Sequence, residues 1–189
     1  MTTANKLTVS RLLIIPVMLI VIYLDALKQT TSLFGLTVGQ LLFAFLFVLA
    51  SLTDLLDGYI ARKYNQITTF GKFLDPIADK VLVFIALLHL MVLAPERVPL
   101  WAVMVVIIRE FVVTGVRLIA VDQGAVIAAS SLGKIKTATT MLALILMLFN
   151  DFGLKPWIAN VIFYIAAFFT LLSGLDYVLK NKKIIFENM

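Results

Sequence analysis

The chain reads as an all-α integral membrane protein of six transmembrane helices, with both termini on the cytoplasmic side. Three observations predict this. Mean hydropathy is +1.05, and only 14% of the 189 residues are charged, against roughly 25% in soluble domains. Apolar runs long enough to cross a bilayer, which takes about 20 residues, recur at about 8–27, 36–62, 71–94, 98–121, 131–150 and 156–180. The basic residues are also lopsided: with both termini inside, only Lys28, Arg97 and Lys155 fall on the outer side, a positive-inside pattern. No repeat or soluble insertion interrupts the runs, so the reading is one membrane-embedded domain over 1–189.

Composition narrows the chemistry. Cys is absent and His occurs once, which removes disulfides, thiolate sites and the usual His/Cys zinc sites. The net charge of +5 suits anionic headgroups or phosphorylated substrates, and with this hydropathy nucleic acid is not an expected partner. The first run is too long for a signal-peptide core and lacks a small-x-small cleavage site, so it is read as a span.

Taken in order, the first run opens on Asn5-Lys-Leu-Thr-Val-Ser-Arg11, a capped helix start with a snorkelling Arg. The second begins near Gly35 and Gly39, a weak GxxxG at the edge of a span, and ends on acids. Counting about 1.5 Å per residue, Asp54 lies roughly 27 Å below Leu36. With a hydrocarbon core of roughly 30 Å, Asp54 and Asp57 fall near the inner interface. Asp54, Asp57, Gly58 and Ala61 cover an arc of about 100° on a helical wheel, two acids with two small residues beside them. The third run starts with Gly71, Asp75 and Asp79 on one stripe, with Pro76 expected in the first turn. The linker between these runs is short, so the two acidic faces can meet. The fourth and sixth runs open on Trp101 and Trp157, expected interfacial anchors.

Four carboxylates this deep in an apolar chain are costly and by default mark function. If they lie 4–8 Å apart and are ionised, each pair costs roughly 2–4 kcal/mol at an effective dielectric of 20. Protonation or bound cations must relieve that. With oxygen ligands and no His or Cys nearby, the fitting cations are Mg²⁺ or Mn²⁺, and two would balance four negative charges and suit displacement at phosphorus. The competing reading is that the acids pair with Arg62, Lys72 and Lys80 or reach cytosolic water.

The run Asp54-x2-Asp57-Gly58-x2-Ala61-Arg62-x8-Gly71-x3-Asp75-x3-Asp79 resembles the signature of the CDP-alcohol phosphotransferases at every fixed position. The resemblance implies a membrane-embedded homodimer of the cell (inner) membrane, its dinuclear Mg²⁺ or Mn²⁺ site open to the cytoplasm. Such an enzyme passes the phosphatidyl group of a CDP-linked donor to an alcohol and releases CMP. By the same resemblance Asp54, Asp57, Asp75 and Asp79 are metal ligands, and Asp79 is also the general base. Gly58 and Ala61 make room for the nucleotide, Gly71 helps the turn, and Arg62 meets donor phosphate.

The fourth run holds Arg109-Glu110…Thr114-Gly115-Val-Arg117, and the fifth starts Ser131-Leu-Gly133-Lys134-Ile-Lys136-Thr137. Arg109 and Arg117 are about two turns apart and project from a similar side. With Lys134 and Lys136 they form a basic cup suited to a phosphorylated alcohol. The alternatives are lipid-phosphate contacts for the lysines and internal pairing of Arg109 with a carboxylate. The pattern is similar to the bacterial phosphatidylglycerophosphate synthases. That implies CDP-diacylglycerol as donor and sn-glycerol 3-phosphate as acceptor, with siblings using inositol phosphate, serine or phosphatidylglycerol as the alternative. A small cation transporter is the rival of another class, but it predicts acids strung along a path through the bilayer rather than clustered at one interface. His89 is expected to pack, Asp176 and Lys180 to form an ordinary i,i+4 pair, and Asp25, Glu96, Asp122 and Asp151 to be solvated.

Overall fold

Each apolar run becomes a helix. The computed structural model describes residues 3–29, 31, 33–63, 69–124, 127 and 130–182. Its helices are α1 (Thr3–Tyr23), α2 (Val38–Lys63), α3 (Thr69–Leu93), α4 (Leu100–Asp122), α5 (Ser131–Leu148) and α6 (Trp157–Lys180). Three stretches are long and apolar enough to cross a bilayer: Leu74–Leu93 of α3, α5 and α6. The apolar parts of α1 and α2 are shorter, Leu7–Tyr23 and Val38–Asp54. In α4, Arg109, Glu110 and Arg117 interrupt the apolar run. Many large apolar side chains point outward, Leu13, Phe111, Leu118 and Leu179 among them, a surface that suits lipid rather than water.

Two helix ends differ from expectation. The first helix stops at Tyr23, not near residue 27, because a tighter turn takes over. Leu27 N–H donates to the Leu24 carbonyl (3.0 Å), and Lys28 Nζ closes on Asp25 Oδ1 (2.5 Å). The third helix begins at Thr69, so Pro76 lies about two turns inside it rather than in its first turn. Proline lacks the N–H that would bond one turn back; membrane helices tolerate this when neighbouring groups take up the freed carbonyl.

The start of α2 is specified locally. Gln40 N–H donates to Thr37 Oγ1 (3.2 Å) and Thr37 N–H to Gln40 Oε1 (2.9 Å), a reciprocal capping box that satisfies two orphan donors. A Cβ on Gly39 would lie 3.0 Å from the Val21 carbonyl oxygen, so glycine lets α2 approach the end of α1. Gly35 instead serves the turn, at φ +68°, where glycine carries no steric cost.

The chain divides into two compact units: Met1–His89 with Ile145–Lys155, and Leu90–Leu144 with Pro156–Met189. In the first, α1 packs on α2, and Met18, Phe43, Phe47, Ala78 and Leu87 are fully buried. His89 packs its ring on Phe43, centroids 4.3 Å apart and tilted by 39°, the packing role expected of it. Asn150, Asp151 and Phe152 all take left-handed backbone, costing L-residues roughly 1–2 kcal/mol each. Stacking of Phe149 on Phe152 (5.0 Å) and the bond from Asn150 Nδ2 to the Phe34 carbonyl (2.8 Å) hold the turn. Asp151 is only 2% exposed. The expectation that it is solvated is therefore corrected: the left-handed turn folds its side chain inward. In the second unit α4 packs on α6, around Val98, Ala102, Val103, Ala159 and Phe163. Trp101 and Trp157 are exposed.

Candidate active site

In the first unit, three helices bring charge together. Asp54 is on α2, while Asp75 and Asp79 sit one turn apart on α3. From α1, Thr8 and Arg11 meet them, three residues apart and hence on one face. Thr8 Oγ1 donates to Asp75 Oδ1 (2.6 Å). Arg11 NH1 donates to Asp79 Oδ1 (2.5 Å) and lies 3.1 Å from Asp54 Oδ1. The Arg11 side chain is 0% exposed, against 37% for Asp54 and 43% for Asp79. The cation is therefore the floor of the cluster and the carboxylates its open side.

Arg11 was expected to snorkel at the helix start; it is instead buried among the acids. Its charge is turned inward onto two carboxylates from two helices, and removing it would leave those acids without that compensation. The side chains of Asp57, Gly58, Ala61, Arg62 and Gly71 lie outside the described residues, so their expected roles rest on sequence.

The donor set suits a hard divalent cation. It consists of carboxylate oxygens with no imidazole or sulfur among them, it is partly open, and it already holds a positive group at two of its oxygens. Among the described residues, no three acidic or imidazole groups are gathered as a ready ligand set. Ligation would thus need Asp57 or an adjustment around Arg11.

The second unit holds the opposite arrangement. Glu110 Oε1 accepts from Arg109 NH1 (2.9 Å) and from Lys136 Nζ. The three side chains are 13%, 12% and 10% exposed. One nearly buried carboxylate thus serves two cations, from α4 and α5. Arg109 Nε also donates to Ser173 Oγ on α6 (3.2 Å). Its stem passes so close to α6 that a Cβ on Gly174 would lie 2.9 Å from Arg109 Cγ. Two turns on, Arg117 Nε donates to the Tyr177 hydroxyl (3.2 Å) with its guanidinium over the Tyr177 ring.

Of the four expected cup residues, Arg109 and Lys136 are therefore joined through Glu110. Arg117 lies farther along α4, and Lys134 is exposed. Internal pairing of Arg109, weighed as the alternative, is what the structure contains. Sequence reasoning missed Thr8, Arg11, Ser173, Gly174 and Tyr177. The usable signal was small or polar residues inside apolar helices, Thr8 with Arg11 at i,i+3 and Ser173-Gly174 within α6.

Comparison with known proteins adds the wider setting. The model of the CDP-alcohol phosphatidyltransferase family matches residues 1–172. A protein of Bacillus subtilis (strain 168) is 42% identical over 183 residues, covering 94% of this chain and 93% of its own. One of Rickettsia felis is 37% identical over 183 residues, covering 95% and 94%. One of Shigella flexneri is 37% identical over 177 residues, covering 90% of each. All three are named CDP-diacylglycerol–glycerol-3-phosphate 3-phosphatidyltransferase. An acidic signature complete at every fixed position, two of its carboxylates on one Arg with a third held by Thr8 one turn away, and a family match over most of the length agree: this chain belongs to the CDP-alcohol phosphatidyltransferase family.

Proposed function

We infer that the protein transfers the phosphatidyl group of CDP-diacylglycerol to sn-glycerol 3-phosphate, giving phosphatidylglycerophosphate and CMP. The observation that carries this is likeness at 42% identity over 94% of the chain to a relative named for that activity. The whole chain acts as one domain in this reading. It is a homodimer in the cytoplasmic membrane, crosses it with six helices, keeps both termini inside, and opens its site to the cytoplasm. The gathering of Lys and Arg at one set of helix ends supports that orientation.

Asp54, Asp57, Asp75 and Asp79 are the residues that would hold two divalent cations, Mg²⁺ or Mn²⁺. When bound, such ions supply charge neutralisation on the donor diphosphate. Asp79 accepts the proton of the glycerol 3-phosphate hydroxyl as its oxygen bonds to the phosphorus carrying the diacylglycerol. The bond from that phosphorus to the CMP oxygen breaks, and CMP leaves with the electron pair. Gly58 and Ala61 leave room for the cytidine nucleotide, Gly71 shapes the entry to α3, and Arg62 meets donor phosphate. Arg109, Arg117, Lys134 and Lys136 serve the acceptor phosphate, Arg117 and Lys134 directly. Arg109 and Lys136 do so with Glu110 fixing their direction, which the shared carboxylate supports.

The test is CMP release by purified protein given CDP-diacylglycerol, Mg²⁺ or Mn²⁺, and a panel of alcohols. Release with glycerol 3-phosphate is expected. Folded protein that releases no CMP with any acceptor would sink the transferase reading. Release with serine or inositol phosphate alone would overturn the acceptor.

A further inference from the structure

The feature that the proposed chemistry leaves unused is Arg11. It is the most deeply buried charged side chain among the described residues, at 0% exposure. Its NH1 touches carboxylate oxygens from two different helices, Asp54 on α2 and Asp79 on α3. A positive group touching two carboxylates occupies the electrostatic role that a metal ion has among its ligands. Thr8, one turn earlier on α1, holds Asp75 by a neutral hydrogen bond. One face of α1 thus contacts all three of the cluster's described acids.

We propose that Arg11 is a built-in counter-ion of the acidic cluster, a positioning residue that holds Asp54 and Asp79 together before a divalent cation arrives and opposes that cation's binding. The argument is one of charge. Without Arg11 the carboxylates repel one another, which destabilises the metal-free cluster and makes a cation more welcome. With Arg11 in contact, an incoming dication meets a like charge beside two of its ligands. Affinity is thereby held down and the cluster is kept assembled between turnovers. The inference rests on the reading that these acids bind metal.

Mn²⁺ titration followed by electron paramagnetic resonance tests it without turnover, on full-length protein in detergent. Wild type, Arg11→Met and Arg11→Lys are compared, with thermal unfolding measured with and without saturating Mn²⁺. Arg11→Met is expected to bind Mn²⁺ at least tenfold more tightly than wild type, about 1.4 kcal/mol. Its loss of Tm without metal should shrink when Mn²⁺ is present. Arg11→Lys, which keeps the charge, should stay within about threefold of wild-type affinity. Arg11→Met that folds only with Mn²⁺ would support the proposal. Unchanged or weaker Mn²⁺ affinity in Arg11→Met, or failure to fold even with metal, would overturn it and leave Arg11 a structural ion pair. Wild type that binds no Mn²⁺ would instead overturn the metal reading itself.

Discussion

Glu110→Gln isolates what one carboxylate does for two cations. The substitution keeps the side chain's volume and an acceptor oxygen but removes its charge. Arg109 NH1, at 2.9 Å, and Lys136 Nζ then share an amide instead of a carboxylate. Removing one partner of a buried ion pair costs about 3–5 kcal/mol, because the remaining charge is left uncompensated. The three side chains keep about a tenth of their surface exposed, and water reaching them screens part of the loss. The low end, about 3 kcal/mol, is therefore the expected cost. For a chain of this size each kcal/mol lowers Tm by about 2–4 °C, so the midpoint should fall by about 6–12 °C.

The assay is thermal unfolding in one detergent at fixed salt, followed by the fluorescence of Trp101 and Trp157. Glu110→Gln combined with Lys136→Met should recover part of the loss, since one of the two cations that share Glu110 is gone; a double-mutant cycle measures that coupling. A Glu110→Gln midpoint within about 1 °C of wild type would refute the reasoning. It would mean that Arg109 and Lys136 find equivalent partners elsewhere.

Three further outcomes follow from the same contacts. Asp79→Asn should abolish CMP release while CDP-diacylglycerol still binds, measured by single-turnover assay and lipid-donor binding; unchanged kcat would discard Asp79 as the base. Arg117→Ala should raise KM for glycerol 3-phosphate well above any change in donor KM, and an effect confined to the donor would reassign the residue. Gly174→Ala places a methyl 2.9 Å from Arg109 Cγ and should cost about 1–3 kcal/mol by overpacking. A Tm equal to wild type would show that the Arg109 stem can step aside.

Much of the fold was legible because periodicity and hydropathy are local. Each of the six apolar runs became a helix, and the ends of α2 to α6 fell close to the expected limits. The departures occurred where side chains act on the backbone, at the Asp25–Lys28 turn and in the left-handed residues from Asn150 to Phe152. The site was half legible. Asp75 and Asp79 declared a common face by their spacing, but Thr8 reaches Asp75 across 67 positions and Arg11 reaches Asp79 across 68. No periodic pattern encodes a contact at that separation. Arg11 near a helix start looks like a snorkelling residue until the partners packed against it are known. Gly174 is similar: in α6 it reads as a small residue in an apolar run, and only the passage of Arg109 gives it a task.

The two ionic clusters also differ in a way that bears on what each can bind. In the first unit one guanidinium serves Asp54 and Asp79, with Asp75 held by a hydroxyl, so acids outnumber the cation at these contacts. In the second, one carboxylate serves Arg109 and Lys136, so cations outnumber the acid. A structural ion pair in an apolar setting gains most when its charges cancel, because any residue of charge carries an uncompensated desolvation cost. At these described contacts the first cluster has more acids than cations and the second more cations than acids. A negative surplus with open oxygens calls for a metal cation, and a positive surplus of Arg and Lys calls for phosphate. Under the proposed function, this difference at the described contacts fits the donor's metal chemistry at the acids of α2 and α3 and the acceptor's phosphate at the cations of α4 and α5.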